Sequence, residues 1–216
     1  MGPYSHIVIA SELESFIRPD NLEEYYWGAV APDVRYLVKG ITKRQTHFSA
    51  EIISEYMLQY PRYRSFLQGY LIHCLTDKLD LQRIIQQRFP FSLLKRKITK
   101  NNCSVILEFF NIEISKPFRI TLPGKNNPVF RELKIRDEII IKYAQEMNMY
   151  INSPTFSSAY KLYQNLGITN NGRIEKYRKV VQKWQTSWLK NNLILIVPQL
   201  NKLNKEIAAL VRSKIS

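Results

Sequence analysis

Apolar side chains recur three and four positions apart along nearly the whole chain, which is the spacing of one face of an α-helix. The clearest stretch has apolar residues at positions 66, 67, 70, 71, 74 and 75. Only 7 glycines and 10 prolines interrupt the 216 residues, so long helices can form between them. We therefore predict an all-α, multi-helix bundle in which residues 1–216 form a single domain.

The interruptions of this periodicity predict where the helices begin and end. Residues 34–46 and 114–128 are expected to be connecting segments, the second because it holds three prolines and a glycine. Residues 103–112 are apolar and partly β-branched, so they fit either a helix or a strand. A break is expected near Pro198. Helices are predicted over residues 6–16, 22–30, 49–60, 62–89, 130–150, 153–167, 172–192 and 199–214.

The net charge of +14 is unevenly distributed along the chain. Residues 1–90 carry ten basic and ten acidic side chains, whereas residues 160–216 carry eleven basic and only two acidic ones. A basic half, residues 91–216, favours anionic partners such as an anionic membrane surface or, as a weaker expectation, nucleic acid. A solvated helical face that confers solubility explains the same charge.

The cellular location is inferred from the cysteines and from the start of the chain. Cys74 and Cys103 are too few for a disulfide framework and form no paired zinc motif. The first residues lack the basic and apolar regions of a secretory signal, and the apolar run at residues 193–197 is too short to span a bilayer. We therefore expect a cytoplasmic protein, with peripheral attachment to a membrane as an alternative.

All three histidines, His6, His47 and His73, fall in the first third of the chain, together with two suggestive carboxylates. Asp33 follows a proline at the end of a predicted helix, and Asp77 lies one helical turn beyond His73 on the same face. A carboxylate in an apolar helix must be paired or metal-bound. Singly, each residue has an ordinary explanation as a turn, capping or surface residue. Together they form a ligand set suited to zinc or a similar divalent ion.

The order of these segments resembles the zinc-dependent phospholipase C family. Ser5-His6 comes first, followed by residues 26–33 (YWGAVAPD), by Thr46-His47-Phe48 and by residues 66–77 (FLQGYLIHCLTD). The resemblance covers about residues 3–80. It implies an all-α fold with a metal cleft near the N-terminus, where metal-bound water attacks the phosphorus of a phosphate-ester substrate.

The resemblance also implies roles for the individual residues. Asp33, His47, His73 and Asp77 would hold one zinc ion, and His6 would serve a second ion that Asp77 bridges. Asp33 would additionally act as the catalytic general base. Other divalent ions fit the same ligands.

The chain departs from the family because no histidine follows His73. The family's enzymes use later histidines and a glutamate to hold a further ion, and we expect no bound amino-terminal residue in this chain. Asp80, Asp137, Glu138 and Glu146 are the candidates to replace the missing ligands.

Three functions follow from the sequence. The first is a zinc-dependent phosphodiester hydrolase of the phospholipase C type. The second is a non-catalytic scaffold of the same fold that binds an anionic partner through its basic C-terminal half. The third is a structural metal that only holds the N-terminal helices together.

Overall fold

The computed structural model describes residues 1–88, 103–114, 117–167, 179 and 193–215 of the chain. All regular structure in these residues is helical, which confirms the predicted all-α class. None of the described helices combines the length and apolar character that crossing a bilayer requires. The α-helices are α1 (Pro3–Ile17), α2 (Leu22–Val30), α3 (Lys43–Thr46), α4 (Ala50–Gln59), α5 (Arg64–Asp77), α6 (Leu81–Arg88), α7 (Cys103–Ile114), α8 (Pro128–Glu132), α9 (Asp137–Asn152), α10 (Phe156–Asn165) and α11 (Leu193–Arg212).

The helix predicted over residues 62–89 is wrong, because the structure divides it into α5 and α6. A short 3₁₀-helix, Pro61–Tyr63, precedes α5. The carboxylate of Asp80 accepts a hydrogen bond from the Arg83 backbone nitrogen at 3.1 Å. An aspartate in this position caps the start of a new helix, and this local hydrogen bond competes with continuation of the old one. As a result, Asp77 lies at the very end of α5.

The segment of residues 34–46 is also more ordered than predicted. It continues the 3₁₀-helix Ala31–Leu37 and contains the short helix α3. Pro32 fits the first turn of the 3₁₀-helix because its missing backbone N–H would have no partner there. Thr42 and Gln45 form a reciprocal capping box that begins α3. These two elements carry residues of the candidate site.

The later predictions were met in part. Residues 103–112 are helical, within α7, but the helix predicted over residues 130–150 is split into α8 and α9 around Lys134, which has a φ of 53°. The predicted break at Pro198 is wrong, because that proline lies inside α11. The predicted helix 172–192 lies outside the described residues except for position 179. Residues 89–102, at the start of the basic half, also lie outside them.

The centre of the fold is a close crossing of α2 and α5. A Cβ atom added at Gly28 would lie 1.9 Å from the Phe66 carbonyl oxygen, and one added at Gly69 would lie 1.8 Å from the Tyr25 carbonyl oxygen. The two backbones therefore touch, and only glycine fits at either position. Helix α1 packs against both helices and against α7 and α11.

The first turn of α1 is held by a buried carboxylate from α7. Glu108 accepts hydrogen bonds from the backbone nitrogens of Tyr4 and Ser5, from the Ser5 hydroxyl and from the Tyr150 hydroxyl. The start of a helix has unpaired N–H groups and a positive dipole end, and a carboxylate satisfies both. Burial nevertheless raises the pKa of Glu108 above its usual value, against the lowering effect of these hydrogen bonds. This anchor fixes the position of Met1 and His6.

Candidate metal centre

All five residues predicted as metal ligands meet in one buried cluster. His6 comes from α1 and Asp33 from the 3₁₀-helix, whereas His47 directly follows α3. His73 and Asp77 come from the last two turns of α5. The side chains of His6 and His73 are completely buried, and those of the other three are less than a tenth exposed.

The tightest set of ligand atoms comprises His47 Nε2, His73 Nε2 and Asp77 Oδ2. The two nitrogens are 3.2 Å apart, and the carboxylate oxygen lies 3.1 Å from His47 Nε2 and 3.9 Å from His73 Nε2. Two ligand atoms of a tetrahedral zinc ion, each about 2.0–2.1 Å from the metal, are about 3.4 Å apart. The three distances are therefore close to those of one face of a zinc coordination sphere.

The hydrogen bonds behind the rings determine which nitrogens carry protons. His73 Nδ1 lies 2.8 Å from the Ala29 carbonyl oxygen, which can only accept, so Nδ1 donates and Nε2 carries a lone pair. In the metal-free protein His47 Nε2 lies 3.1 Å from Asp77 Oδ2, which can only accept, so Nε2 donates a proton whose place a bound metal ion would take. On the other side of the ring, Thr46 Oγ1 lies 3.1 Å from His47 Nδ1 and 3.3 Å from the Lys43 carbonyl oxygen. Such contacts to the far ring nitrogen are typical of metal-binding histidines.

Burial keeps two of the imidazoles neutral. His6 and His73 are stacked with their ring centroids 3.7 Å apart. Burial lowers the pKa of His73 to about 3, and burial together with the neighbouring His73 lowers the pKa of His6 to about 3. Both rings are therefore uncharged near pH 7, which is the form that binds metal ions.

His6 also has unsatisfied polar atoms. Neither of its ring nitrogens makes a hydrogen bond with the described residues. Nε2 lies 3.3 Å from Asp77 Oδ1, but the two atoms are not oriented for a hydrogen bond. A buried polar group without a partner is costly, and a cation between these atoms would supply one.

Asp33 belongs to a second set of atoms. Ligand atoms of His6, Asp33 and His73 all lie within 4.8 Å of one another, as do those of the first set. The resemblance implied that Asp33 shares an ion with His47 and Asp77, whereas the structure groups it with His6 and His73. One oxygen of Asp33 accepts a hydrogen bond of 3.0 Å from Arg35 Nη2. His73 is common to both sets, and because its Nδ1 is engaged with the Ala29 carbonyl, only its Nε2 is available as a ligand for one ion.

Asp77 is surrounded by positive and polar groups. The Met1 amine lies 2.7 Å from Oδ1. Lys43 Nζ lies 2.6 Å from Oδ2. Burial would raise the pKa of Asp77, but the amino terminus and the imidazoles of His47 and His6 outweigh burial and hold it well below its usual range. The carboxylate is therefore ionised, and each of its oxygens is paired with an ammonium group in the metal-free protein.

The carboxylates considered as replacements for missing ligands are engaged elsewhere. Asp80 caps α6, Asp137 accepts from Asn126, Glu138 pairs with Arg136, and Glu146 accepts from Asn165. None of them belongs to either set of ligand atoms found in the described residues.

Sequence reasoning missed Lys43, Glu108 and the Met1 amine. A sequence signal existed for two of them. Lys43 stands four residues before His47, and Glu108 is a single carboxylate inside the apolar run of residues 103–112. A carboxylate in an apolar helix needs a partner, and this holds for Glu108 as it does for Asp77.

The chain matches no family model, no curated protein and no solved structure. The class that the fold and the cluster define is an all-α protein with buried histidine and aspartate groups that could hold a metal ion.

Proposed function

We propose that this protein is a metal-dependent phosphodiester hydrolase of the phospholipase C type, with zinc as the preferred ion. The observation that supports it best is the convergence of two imidazole nitrogens and an ionised carboxylate oxygen at distances of 3.1–3.9 Å. Nitrogen and carboxylate ligands in this number match catalytic zinc sites, in which three protein ligands leave a coordination position open.

The residues divide the work between binding and proton transfer. His47, His73 and Asp77 would hold the ion, and the Ala29 carbonyl keeps His73 in the required tautomer. A bound zinc ion supplies Lewis acidity, which makes water more acidic and offsets charge on phosphate oxygens. Asp33 takes the proton of the attacking water, and its hydrogen bond from Arg35 fixes the orientation of the carboxylate. With a second ion, Asp33 and His6 are its ligands.

The experiment compares Asp77→Asn with Asp80→Asn, a matched change of a carboxylate three residues away that lies outside the cluster. Zinc content is measured on the purified proteins, and turnover is measured with bis(para-nitrophenyl) phosphate and added zinc or manganese. Loss of a group that only orients a ligand weakens metal binding roughly 10–100-fold, so loss of Asp77 should cost at least that much. Asp80→Asn should behave as wild type.

A second variant and the behaviour of the wild-type protein complete the test of the proposed hydrolase. His47→Gln changes a ligand that is less deeply buried than His6 and His73, and it serves as a second loss-of-binding variant if Asp77→Asn does not fold. If wild-type protein neither binds zinc or manganese nor hydrolyses the ester with either ion, the proposal is wrong.

The deep burial of His6 and His73 favours one alternative, a purely structural ion that ties α1 to α5. In that case zinc binds and raises the melting temperature, chelation reverses the effect, and no turnover is detected with any phosphodiester.

A further inference from the structure

Lys43 is the exposed group of the cluster. Its side chain is 50% exposed, whereas that of Asp77 is 5% exposed. Its Nζ contacts the same Asp77 oxygen that lies 3.1 Å from His47 Nε2. Lys43 therefore borders the cluster on its solvent side and shares an oxygen with the proposed metal ligands.

We infer that Lys43 is a phosphate-binding residue that exchanges partners: it pairs with Asp77 when no ion is bound, and it binds a substrate phosphate oxygen once the ion is in place. This inference rests on the proposed metal-dependent function and adds a specificity-determining residue to it. The inferred ligand on the solvent side of the cluster is a phosphate-bearing anion.

The exchange follows from electrostatics. An ion held by Asp77 Oδ2 at about 2.1 Å would be less than about 5 Å from an ammonium group that remains on the same oxygen. Two positive charges at this distance in a partly buried site repel strongly. The ammonium group also loses its attraction to Asp77, because the ion neutralises the carboxylate. Both effects drive Lys43 away from Asp77.

The side chain can move while its backbone stays in place. A half-exposed lysine has a flexible four-carbon stem and gains water contacts when it leaves a carboxylate. Helix α3 is held by the Thr42–Gln45 capping box, and the Tyr70 hydroxyl of α5 donates a hydrogen bond to the Thr46 carbonyl at its end. The released ammonium group thus remains close to the solvent-facing side of the cluster.

Among the described residues, the other cations near the cluster are less suited to this role. The Met1 amine is fully buried. Arg35 is already engaged, because its Nη2 donates to Asp33 Oδ1 at 3.0 Å and to the Tyr36 hydroxyl at 2.6 Å. Lys43 therefore combines proximity with exposure, and a lysine binds phosphate as a compact point charge.

The alternative is that Lys43 is only a counter-ion that neutralises Asp77. The two roles make different predictions for the metal-loaded protein. A counter-ion competes with the metal but has no effect on phosphate, whereas an exchanging lysine affects both.

The experiment uses Lys43→Met, with Arg44→Met as the matched control because Arg44 is the next residue of the same helix and is exposed. Zinc affinity is measured at pH 7 by competition with a chelating dye. Binding of inorganic phosphate to protein loaded with stoichiometric zinc is measured by calorimetry at constant ionic strength. Circular dichroism checks that both variants are folded.

We expect Lys43→Met to bind zinc about fivefold more tightly, because a competing ion pair of modest strength is removed. We expect its zinc-loaded form to bind phosphate at least about tenfold more weakly, because a charge-assisted hydrogen bond is lost. Arg44→Met should change neither value by more than about twofold.

The inference is overturned if zinc-loaded Lys43→Met binds phosphate as well as wild type, even if zinc binds more tightly. It is also overturned if the substitution weakens zinc binding. In both cases the proposed function is unaffected, because it is tested separately by zinc binding and phosphodiester turnover of the wild-type protein. If wild-type protein binds no zinc, both proposals are overturned.

Discussion

The crossing of α2 and α5 allows a prediction whose sign differs from that of ordinary helix propensity. Replacing glycine by alanine inside a helix normally stabilises a protein by about 0.5–1 kcal/mol. At Gly69, however, the new methyl group would lie 1.8 Å from the Tyr25 carbonyl oxygen and 2.9 Å from the Ala29 backbone nitrogen. Both neighbours are backbone atoms, so no side-chain rotation can make room.

The size of the effect follows from that distance. An ordinary carbon–oxygen contact is about 3.5 Å, so the helices must separate by more than 1 Å or distort locally. Overpacking of this kind costs typically about 1–3 kcal/mol and occasionally more. We therefore expect Gly69→Ala to lower the free energy of unfolding by about 2–4 kcal/mol.

The same change should impair metal binding. The hydrogen bond from His73 Nδ1 to the Ala29 carbonyl, 2.8 Å long, joins α5 to α2 close to the crossing. A separation of the helices lengthens this bond and releases the orientation of the His73 ring. Zinc affinity should then fall roughly 10–100-fold, as it does when the partner of a metal-binding histidine is removed.

Urea unfolding followed by circular dichroism measures the stability, and dye competition measures the zinc affinity of the folded fraction. Gln68→Ala is the control, because it changes the neighbouring residue of the same helix at a less buried position. It should stay within about 0.5 kcal/mol of wild type. If Gly69→Ala is as stable as wild type or more stable, the close crossing is wrong.

Three other outcomes are expected. Because the pKa values of His6 and His73 are lowered to about 3 in the folded protein and are near 6.5 in the unfolded chain, the unfolded state binds more protons below about pH 6.5. Metal-free protein should therefore lose up to about 1.4 kcal/mol of stability per histidine for each pH unit below that value, and constant unfolding free energies between about pH 7 and pH 5 would contradict this. Glu108→Gln should destabilise the fold by about 2–3 kcal/mol, because an amide cannot accept all the hydrogen bonds of the carboxylate. Urea unfolding measures this change. The control Glu113→Gln, on the exposed side of α7, should change the stability little. Zinc at about a hundredfold excess over its dissociation constant should stabilise the protein by about 2.7 kcal/mol. The melting temperature should then rise, and a chelator should reverse the rise. An unchanged melting curve would argue against a metal site in the folded state.

The sequence was sufficient for the fold class and for most helices, because the spacing of apolar residues is a local property of the chain. It was less informative about helix ends. At Asp80 a capping hydrogen bond competes with an apolar pattern that continues through residues 79 and 84, and the pattern alone cannot show which of them prevails. At Pro198 the sequence predicts a break, but helix α11 continues through the proline.

The chemistry of the candidate site was also readable from the sequence, because three histidines and two aspartates in suggestive contexts limit what such a cluster can bind. Their grouping was not readable. Asp33 joins His6 and His73, and the Met1 amine reaches Asp77 across 76 positions. Such contacts depend on how α1 is anchored by Glu108 and how closely α2 and α5 cross. The sequence thus determined which side chains are available as ligands, whereas only tertiary packing, which acts between residues far apart in the chain, decided which of them share a cation.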